Sequence, residues 1–473
     1  MNVAAPAPEP ATTPAHEDGL PVPLRYWAAA AIWLALAMAV LDGSIANVAL
    51  PTIAGEIGAS PATSVWVVNA YQLTITMLLL PLAALGDAIG YRRVYLPGLV
   101  LFVLGSLGCA MAHGLTGLIC ARVFQGVGAA CIMSMNAALV RSIYPTSMLG
   151  RGIGYNAMVL SVSAAAGPTL AAFILEVARW PWLFLINLPI GIAAVTLGLK
   201  ALPQAGGRGR KVEWLSAALS ALMMGGVVFG AETLARTGSP SGIALIAGGI
   251  VAGVLLVRRE WGQPAPLFPI DLLRNRIFGM SIATSTVSFA AQMLAYVTLP
   301  FLFQMVLGRS AFETGLLMTP WPLALGVVAP IAGRLADKVR AGLLGGIGLA
   351  VFAVGLFSLS RLGPHPETWD IAWRMALCGA GFGLFQSPNN RTIVSSAPRE
   401  RSGAAGGMLA TARLLGQTTG AVTVGAAFHL AGVRAGPGLL LAASIAALVA
   451  AALSLLRLRN PRTPHRLPEA ALD

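Results

Sequence analysis

The chain has 473 residues, of which 56% are hydrophobic and only 10% charged, and its mean hydropathy is +0.76. Ordinary globular proteins carry about 25% charged residues, so the composition excludes a string of soluble domains and indicates a polytopic membrane protein. A formal net charge of +13 would suggest nucleic acid as partner in a soluble chain. Here the basic residues sit in short connections between apolar runs, where they set orientation in a lipid bilayer and imply no nucleic acid.

Residues 1–25 are rich in Ala, Pro and Thr, carry Glu9, Glu17 and Asp18, and lack a basic start or a small-residue cleavage site; they read as a retained, disordered cytoplasmic tail. From Tyr26 onward, apolar segments long enough to cross about 30 Å of hydrocarbon recur. The first six, within residues 26–202, are Tyr26–Leu50, Ser64–Leu85, Val94–Ala112, Leu115–Ile143, Leu149–Glu176 and Trp180–Leu202. Residues 203–276 form a linker with a basic break, two extra spans at 212–235 and 241–257, and a long connection bearing Arg258, Arg259, Arg274 and Arg276. The last six, within residues 277–456, are Ile277–Val306, Thr314–Ala332, Leu343–Leu359, Thr368–Ser387, Ser402–Leu430 and Pro437–Leu456, and 457–473 is a second tail. The sum is about fourteen spans, an even number that puts both termini on one side. The expected fold is all-α, two six-helix bundles with an inserted helix pair.

Alternate connections differ in basic residues. One side collects Arg92, Arg93, Arg141, Arg151, Lys200, Lys211, Arg334, Lys338, Arg340, Arg391 and the C-terminal tail, among others; the other collects only Arg179, Arg236, Arg309, Arg361 and Arg434. The first side, with both termini, is therefore cytoplasmic.

In the first span, LDGSIANVALP (Leu41–Pro51) places Asp42 at bilayer depth. A charge there is costly and usually marks an ion or substrate path; the alternative is a structural acid satisfied by Ser44, Asn47 or backbone groups at a bend. Counting 1.5 Å per residue, Asp42 lies about 12 Å from the external end of its helix and Arg122 about 10–12 Å from that of the fourth, with Asn69 and Gln72 in the same slab. Arg413 is also at bilayer depth, about 16 Å into its helix. LGDAIGYRR (Leu85–Arg93) and GRLADKVRAG (Gly333–Gly342) occur once per half, which suggests an internal repeat. In such connections Gly allows close approach, and Asp87 or Asp337 beside basic residues can form charge contacts that break and remake. Gly167-Pro168 removes a helix hydrogen bond and gives a bend or a tight contact. Trp66, Met133, Met135, Met158, Phe289, Gln292, Met293, Tyr296, Gln304, Met318 and Trp321 are candidates for an adaptable cavity wall, with a minority expected to touch substrate. Cys109, Cys120, Cys131 and Cys378 lack paired spacing and the five histidines are scattered, so neither a metal site nor a catalytic constellation is expected.

Taken in order, these motifs resemble the fourteen-spanner drug:proton antiporter family of the major facilitator superfamily. The match also rests on ICARVFQGVGAA (Ile119–Ala130), which has the R-x-x-Q-G-x-G pattern at Arg122, Gln125, Gly126 and Gly128. SAAAGPTLAA (Ser163–Ala172), WPWLFLINLPIG (Trp180–Gly191) and ARLLGQTTGA (Ala412–Ala421) add to it. Departures are Ala83, Ala88 and Tyr91 in the loop motif, Ala171 and Ala172 in place of a closing Gly pair, and a neutral Asn69 where some cation-exporting relatives carry an acid. The resemblance implies alternating-access efflux of amphipathic small molecules in exchange for protons across a bacterial cytoplasmic membrane, energised by the proton gradient without a cofactor. It implies proton coupling at Asp42 and Arg122, conformational roles for Asp87, Gly90, Arg92, Arg93, Gly167, Pro168 and Asp337, and cavity roles for Asn69, Gln72, Gln125, Gln292, Tyr296, Trp321 and Arg413. A dedicated exporter of one endogenous metabolite or antibiotic fits the same scaffold, a membrane enzyme or non-transporting scaffold is the remote alternative, and the oligomeric state is left open, compatible with a monomer.

Overall fold

The computed structural model describes residues 19–204, 213–237, 239–261, 270–336, 338–397 and 402–459. Residues 1–18 and 460–473 of the expected tails, parts of the linker and Asp337 lie outside the described residues. Helix α1 (Leu24–Glu56) comes first. A single turn, α2 (Pro61–Ser64), leads into α3 (Trp66–Ile89), then α4 (Tyr91–Ala110), α5 (Leu115–Ile143) and α6 (Leu149–Val177). The sixth expected span divides at Ile186 into α7 (Trp182–Leu185) and α8 (Asn187–Ala201), and the extra pair is α9 (Trp214–Thr237) and α10 (Pro240–Glu260). After α11 (Ile270–Leu273) come α12 (Arg276–Phe301), α13 (Ala311–Met318), α14 (Pro320–Leu335), α15 (Ala341–Ser360), α16 (Thr368–Ser395), α17 (Ser402–Ala431) and α18 (Gly436–Leu456).

No strand occurs among the described residues, as hydrocarbon requires of a chain that must satisfy its backbone polar groups within each segment. Twelve stretches among the described residues are long and apolar enough to cross a membrane. One of them, Ala405–Leu456, holds both α17 and α18, while α16, diluted by Asp370, Arg374, Asn389 and Arg391, stands outside the twelve. The helices thus accommodate the expected fourteen. Proline marks two of the interruptions: Pro320 opens α14 directly after Thr319, and Pro300 precedes a widened turn over Leu302–Val306 at the end of α12.

Inside each half, small residues let backbones meet. An added Cβ at Gly105 would stand 2.7 Å from the Gln125 backbone, and one at Gly348 would stand 2.7 Å from the Gly381 carbonyl, so α4 packs on α5 and α15 on α16 closer than any side chain permits. Gly98 and Gly105 on α4 and Gly348 and Gly355 on α15 share one seven-residue spacing and face the neighbouring helix in each half. The halves meet mainly through α6 with α13 and α14, α1 with α12, and α3 with α17; α9 touches both α3 and α17. Outward faces carry exposed Leu104, Phe124, Ile192, Val254 and Val354, the surface a lipid-facing bundle needs.

Candidate functional site

The acid on α1 is 1% exposed and does not use Ser44 or Asn47, which bond instead to the carbonyls of Ala164 and Gly43. Its partners come from α5 and α8. Arg122 Nη1 donates to Asp42 Oδ2, Gln125 Nε2 donates to Oδ1 at 2.7 Å, and Asn187 Nδ2 donates to Oδ1 at 3.0 Å. Arg122 also donates through Nε to the Val67 carbonyl at 2.9 Å and through Nη1 to Gln125 Oε1 at 2.6 Å. Ser106 on α4 closes the cluster, accepting from Gln125 at 2.8 Å and Asn187 at 3.2 Å. A helix turn separates Arg122 from Gln125, so both reach one face, and the division at Ile186 places Asn187 at the head of α8, beside that face.

All three groups on the carboxylate are donors, an arrangement that fits its ionised form because a carboxylate only accepts. The pair is fully buried; such a pair is stable only with both members present, and removing one typically costs about 3–5 kcal/mol. The guanidinium also lies over the Tyr71 ring, 4.1 Å from its centroid. Tyr71 donates from its hydroxyl to the Ala39 carbonyl at 3.0 Å and packs beside Gly43.

Tyr71 is the wall between this cluster and a cavity of about 200 Å³ enclosed by α1, α3, α5 and α6 from one half and α12, α14, α16 and α17 from the other. Gln72, Gln292, Tyr296 and Arg413 line it, as do Gln386, Gln417, Met133, Phe289 and Met293. The structure places three expected cavity residues elsewhere. Gln125 is turned into the ion cluster. Asn69 is buried and is not among the lining residues. Trp321 is fully buried in the second half, edge-on to Tyr296 at 4.9 Å and Phe352 at 5.4 Å. Depth along a helix, which the sequence supplies, does not fix rotation about its axis. Of the broader candidates, Trp66 stacks on Phe229 of α9, Met158 is exposed, and Met135 and Met318 are buried off the cavity.

The residues expected to act in conformational change fall into two groups. Gly90 ends α3 at φ +107°, a backbone conformation that glycine adopts without strain. Asp87 accepts from the Tyr91 hydroxyl at 2.8 Å and forms no ion pair among the described residues. Arg92 donates to the carbonyls of Leu199 and Leu202 and so ties α4 to the end of α8, and Arg93 donates to Ile89. The contacts of Asp87, Arg92 and Arg93 among the described residues are thus a phenol and helix-end carbonyls. Gly167 lies against Ser44 of α1, and Pro168 exposes its carbonyl to Gly315 of α13. One turn on, Thr169 and Thr319 hydroxyls bond at 2.7 Å, and Gln304 meets both Thr52 and the Val48 carbonyl at 3.1 Å. These contacts join the halves at the end that the basic-residue asymmetry assigns to the outside.

Asn187, Ser106 and Tyr71 were not singled out by sequence, although Asn187 interrupts an otherwise apolar run. That interruption is the signal that could have found it.

Two helical halves around a shared cavity, with a sequestered ion pair behind its wall, define a membrane transporter rather than an enzyme. The Major Facilitator Superfamily model matches residues 32–421, and the chain belongs to that superfamily. It is 53% identical to "Uncharacterized transporter YebQ" of Escherichia coli over 94% of this chain and 98% of that one. It is 32% identical to "Riboflavin transporter RibZ" of Clostridioides difficile, covering 81% and 84%, and 31% identical to "Multidrug resistance protein Stp" of Mycobacterium tuberculosis, covering 83% and 74%. Among solved structures, a POT family transporter in complex with a thioalcohol-conjugated peptide shares the fold with a TM-score of 0.69 at 15% identity, covering 92% and 95%.

Proposed function

We propose that the chain exports amphipathic compounds in exchange for protons by alternating access in a bacterial cytoplasmic membrane, with both termini in the cytoplasm. The observation that carries this reading is the buried Asp42–Arg122 pair set one side chain away from a cavity between the two halves. In this scheme Asp42 takes and releases the proton, Arg122 compensates its charge, and Tyr71 separates both from substrate. The two halves rock about the cavity, with Gly167-Pro168 at their contact and the α9–α10 pair resting on both. The likeness to a protein named for multidrug resistance supports efflux. A second reading, a dedicated exporter of one metabolite, draws on the likeness to a protein named as a riboflavin transporter, and biosynthetic genes beside this one would favour it.

The test uses purified protein in liposomes that hold a pH-sensitive dye and an imposed proton gradient, challenged with a panel of amphipathic compounds. Wild type is expected to dissipate the gradient on substrate addition and Asp42→Asn is not. Equal proton flux in the two removes Asp42 from the mechanism, and substrate movement without proton flux removes the antiport reading.

A further inference from the structure

Several hydrogen-bonding side chains of the cavity wall have no partner among the described residues. Arg413 on α17 lines it, and no carboxylate pairs with Arg413 among the described residues. Gln72 on α3, Gln292 on α12, Gln386 on α16 and Gln417 on α17 line it too, and none of their side-chain amides bonds to another described residue. No Asp or Glu is among the described residues of the wall. Asp42, whose helix lines the cavity, is committed to Arg122, Gln125 and Asn187 behind Tyr71.

The Asp42–Arg122 pair contributes no net charge, so among the described residues the wall carries one uncompensated cation. A guanidinium at bilayer depth is costly when alone, and a group that donates five hydrogen bonds and accepts none is best satisfied by an anionic oxygen in a two-point contact. The amides can bond to neutral polar groups of either kind, so they do not oppose this preference. Around them Phe289, Met293, Tyr296, Leu325 and Phe382 supply an apolar, partly aromatic surface for the rest of a ligand.

We propose that the compounds this cavity accepts are organic anions, small molecules with an apolar or aromatic body and a carboxylate or similar anionic oxygen held by Arg413. The proposal rests on the exporter reading above and narrows its substrate class away from lipophilic cations, which would meet a positive charge and no acid.

The test compares 2-naphthoate with 2-naphthylmethylammonium, one ring system with opposite charges, by calorimetric titration of the full chain in nanodiscs, with empty nanodiscs subtracted. Naphthoate is expected to bind about tenfold tighter or more, the range of a hydrogen bond to a charged group. Arg413→Gln should lose about that factor for naphthoate and none for the ammonium probe, and Arg413→Lys should retain part of it. Ammonium affinity equal to or above that of naphthoate in unmodified protein, including no detectable binding of either, overturns the proposal. So does an unchanged naphthoate affinity in Arg413→Gln that elutes as wild type. The two-probe comparison needs no variant and no proton gradient, so its outcome is independent of the flux assay. Proton flux without anion preference sinks only the charge assignment, and anion preference without proton flux sinks only the antiport.

Discussion

At the scale of single residues, the informative fact about Asp42 is that every group touching it is a donor. Protonation removes the negative charge and turns one carboxylate oxygen into a donor as well as an acceptor, so the hold of the carboxyl on Arg122 weakens. Arg122 is prepared for this, since it keeps the Val67 carbonyl, the Gln125 amide oxygen and the face of Tyr71. Because an uncompensated buried charge costs more than a missing pair, Arg122→Gln should destabilise the protein by about 3–5 kcal/mol. The double variant Asp42→Asn/Arg122→Gln should recover much of that loss. Thermal unfolding in detergent reads both, and additive losses in the double variant would show that the two side chains do not act as a pair. Tyr71 makes a separate prediction. Tyr71→Phe keeps the ring over Arg122 and forfeits one hydrogen bond, about 1 kcal/mol, with coupling intact. Tyr71→Ala opens the pair to the cavity and should give proton leak in liposomes without substrate; a tight Tyr71→Ala variant would deny the ring its role as a wall. The sequence made Asp42, Arg122 and Arg413 visible because a charge inside an apolar run is too costly to be kept without a partner or a task. Asn187 and Ser106 stayed hidden because a neutral polar residue in such a run can also bond its own helix backbone. Trp321 was misplaced because its size and depth say nothing of the side of α14 on which it sits.

At the scale of helices, close approach is set by glycines at repeated spacing, and their effects can be separated from propensity. Gly105→Ala pushes a methyl group into the α5 backbone and should lower stability by about 1–3 kcal/mol, as overpacking does. Gly406→Ala, where nothing lies within 4 Å of the added carbon, should be neutral or stabilising by up to about 1 kcal/mol through the unfolded chain. Melting temperatures of the two variants in one detergent decide the matter, and equal shifts would mean that the α4–α5 contact is looser than the structure has it. Span existence was legible here because long apolar runs leave no alternative to helix in hydrocarbon. Helix interruptions were not: Thr319 and Ile186 divide expected single spans. At Thr319 the cause is Pro320, but Pro51, Pro81, Pro97, Pro168 and Pro388 lie inside unbroken helices, so a proline alone does not tell where a span divides. The loop motif shows the converse, since Gly90 takes the backbone role that its position suggested while Tyr91 changes what Asp87 bonds to.

At the scale of the whole molecule, two halves and a linker could be read from span order and from the paired LGDAIGYRR and GRLADKVRAG segments, but the faces the halves turn to one another could not. Those faces combine apolar residues such as Ile45 and Leu294, which look like any other core position in the sequence, with scattered Thr and Gln contacts. At one end of the interface, side-chain bonds join Thr169 to Thr319, and Gln304 to Thr52 and to the Val48 carbonyl. In the proposed orientation and export direction that end faces outside, and release of substrate requires these bonds to part. A reversible covalent link there tests this directly. With Cys109, Cys120, Cys131 and Cys378 replaced by serine, Thr169→Cys/Thr319→Cys carries the only thiols, at side chains already within bonding distance. Mild oxidation should then stop transport in liposomes, and dithiothreitol should restore it. The single-cysteine variants should ignore both treatments. Full transport by protein whose thiols are verifiably linked would mean that this end stays closed throughout the cycle, and the halves would have to exchange access by a movement that leaves the α6–α13 contact intact.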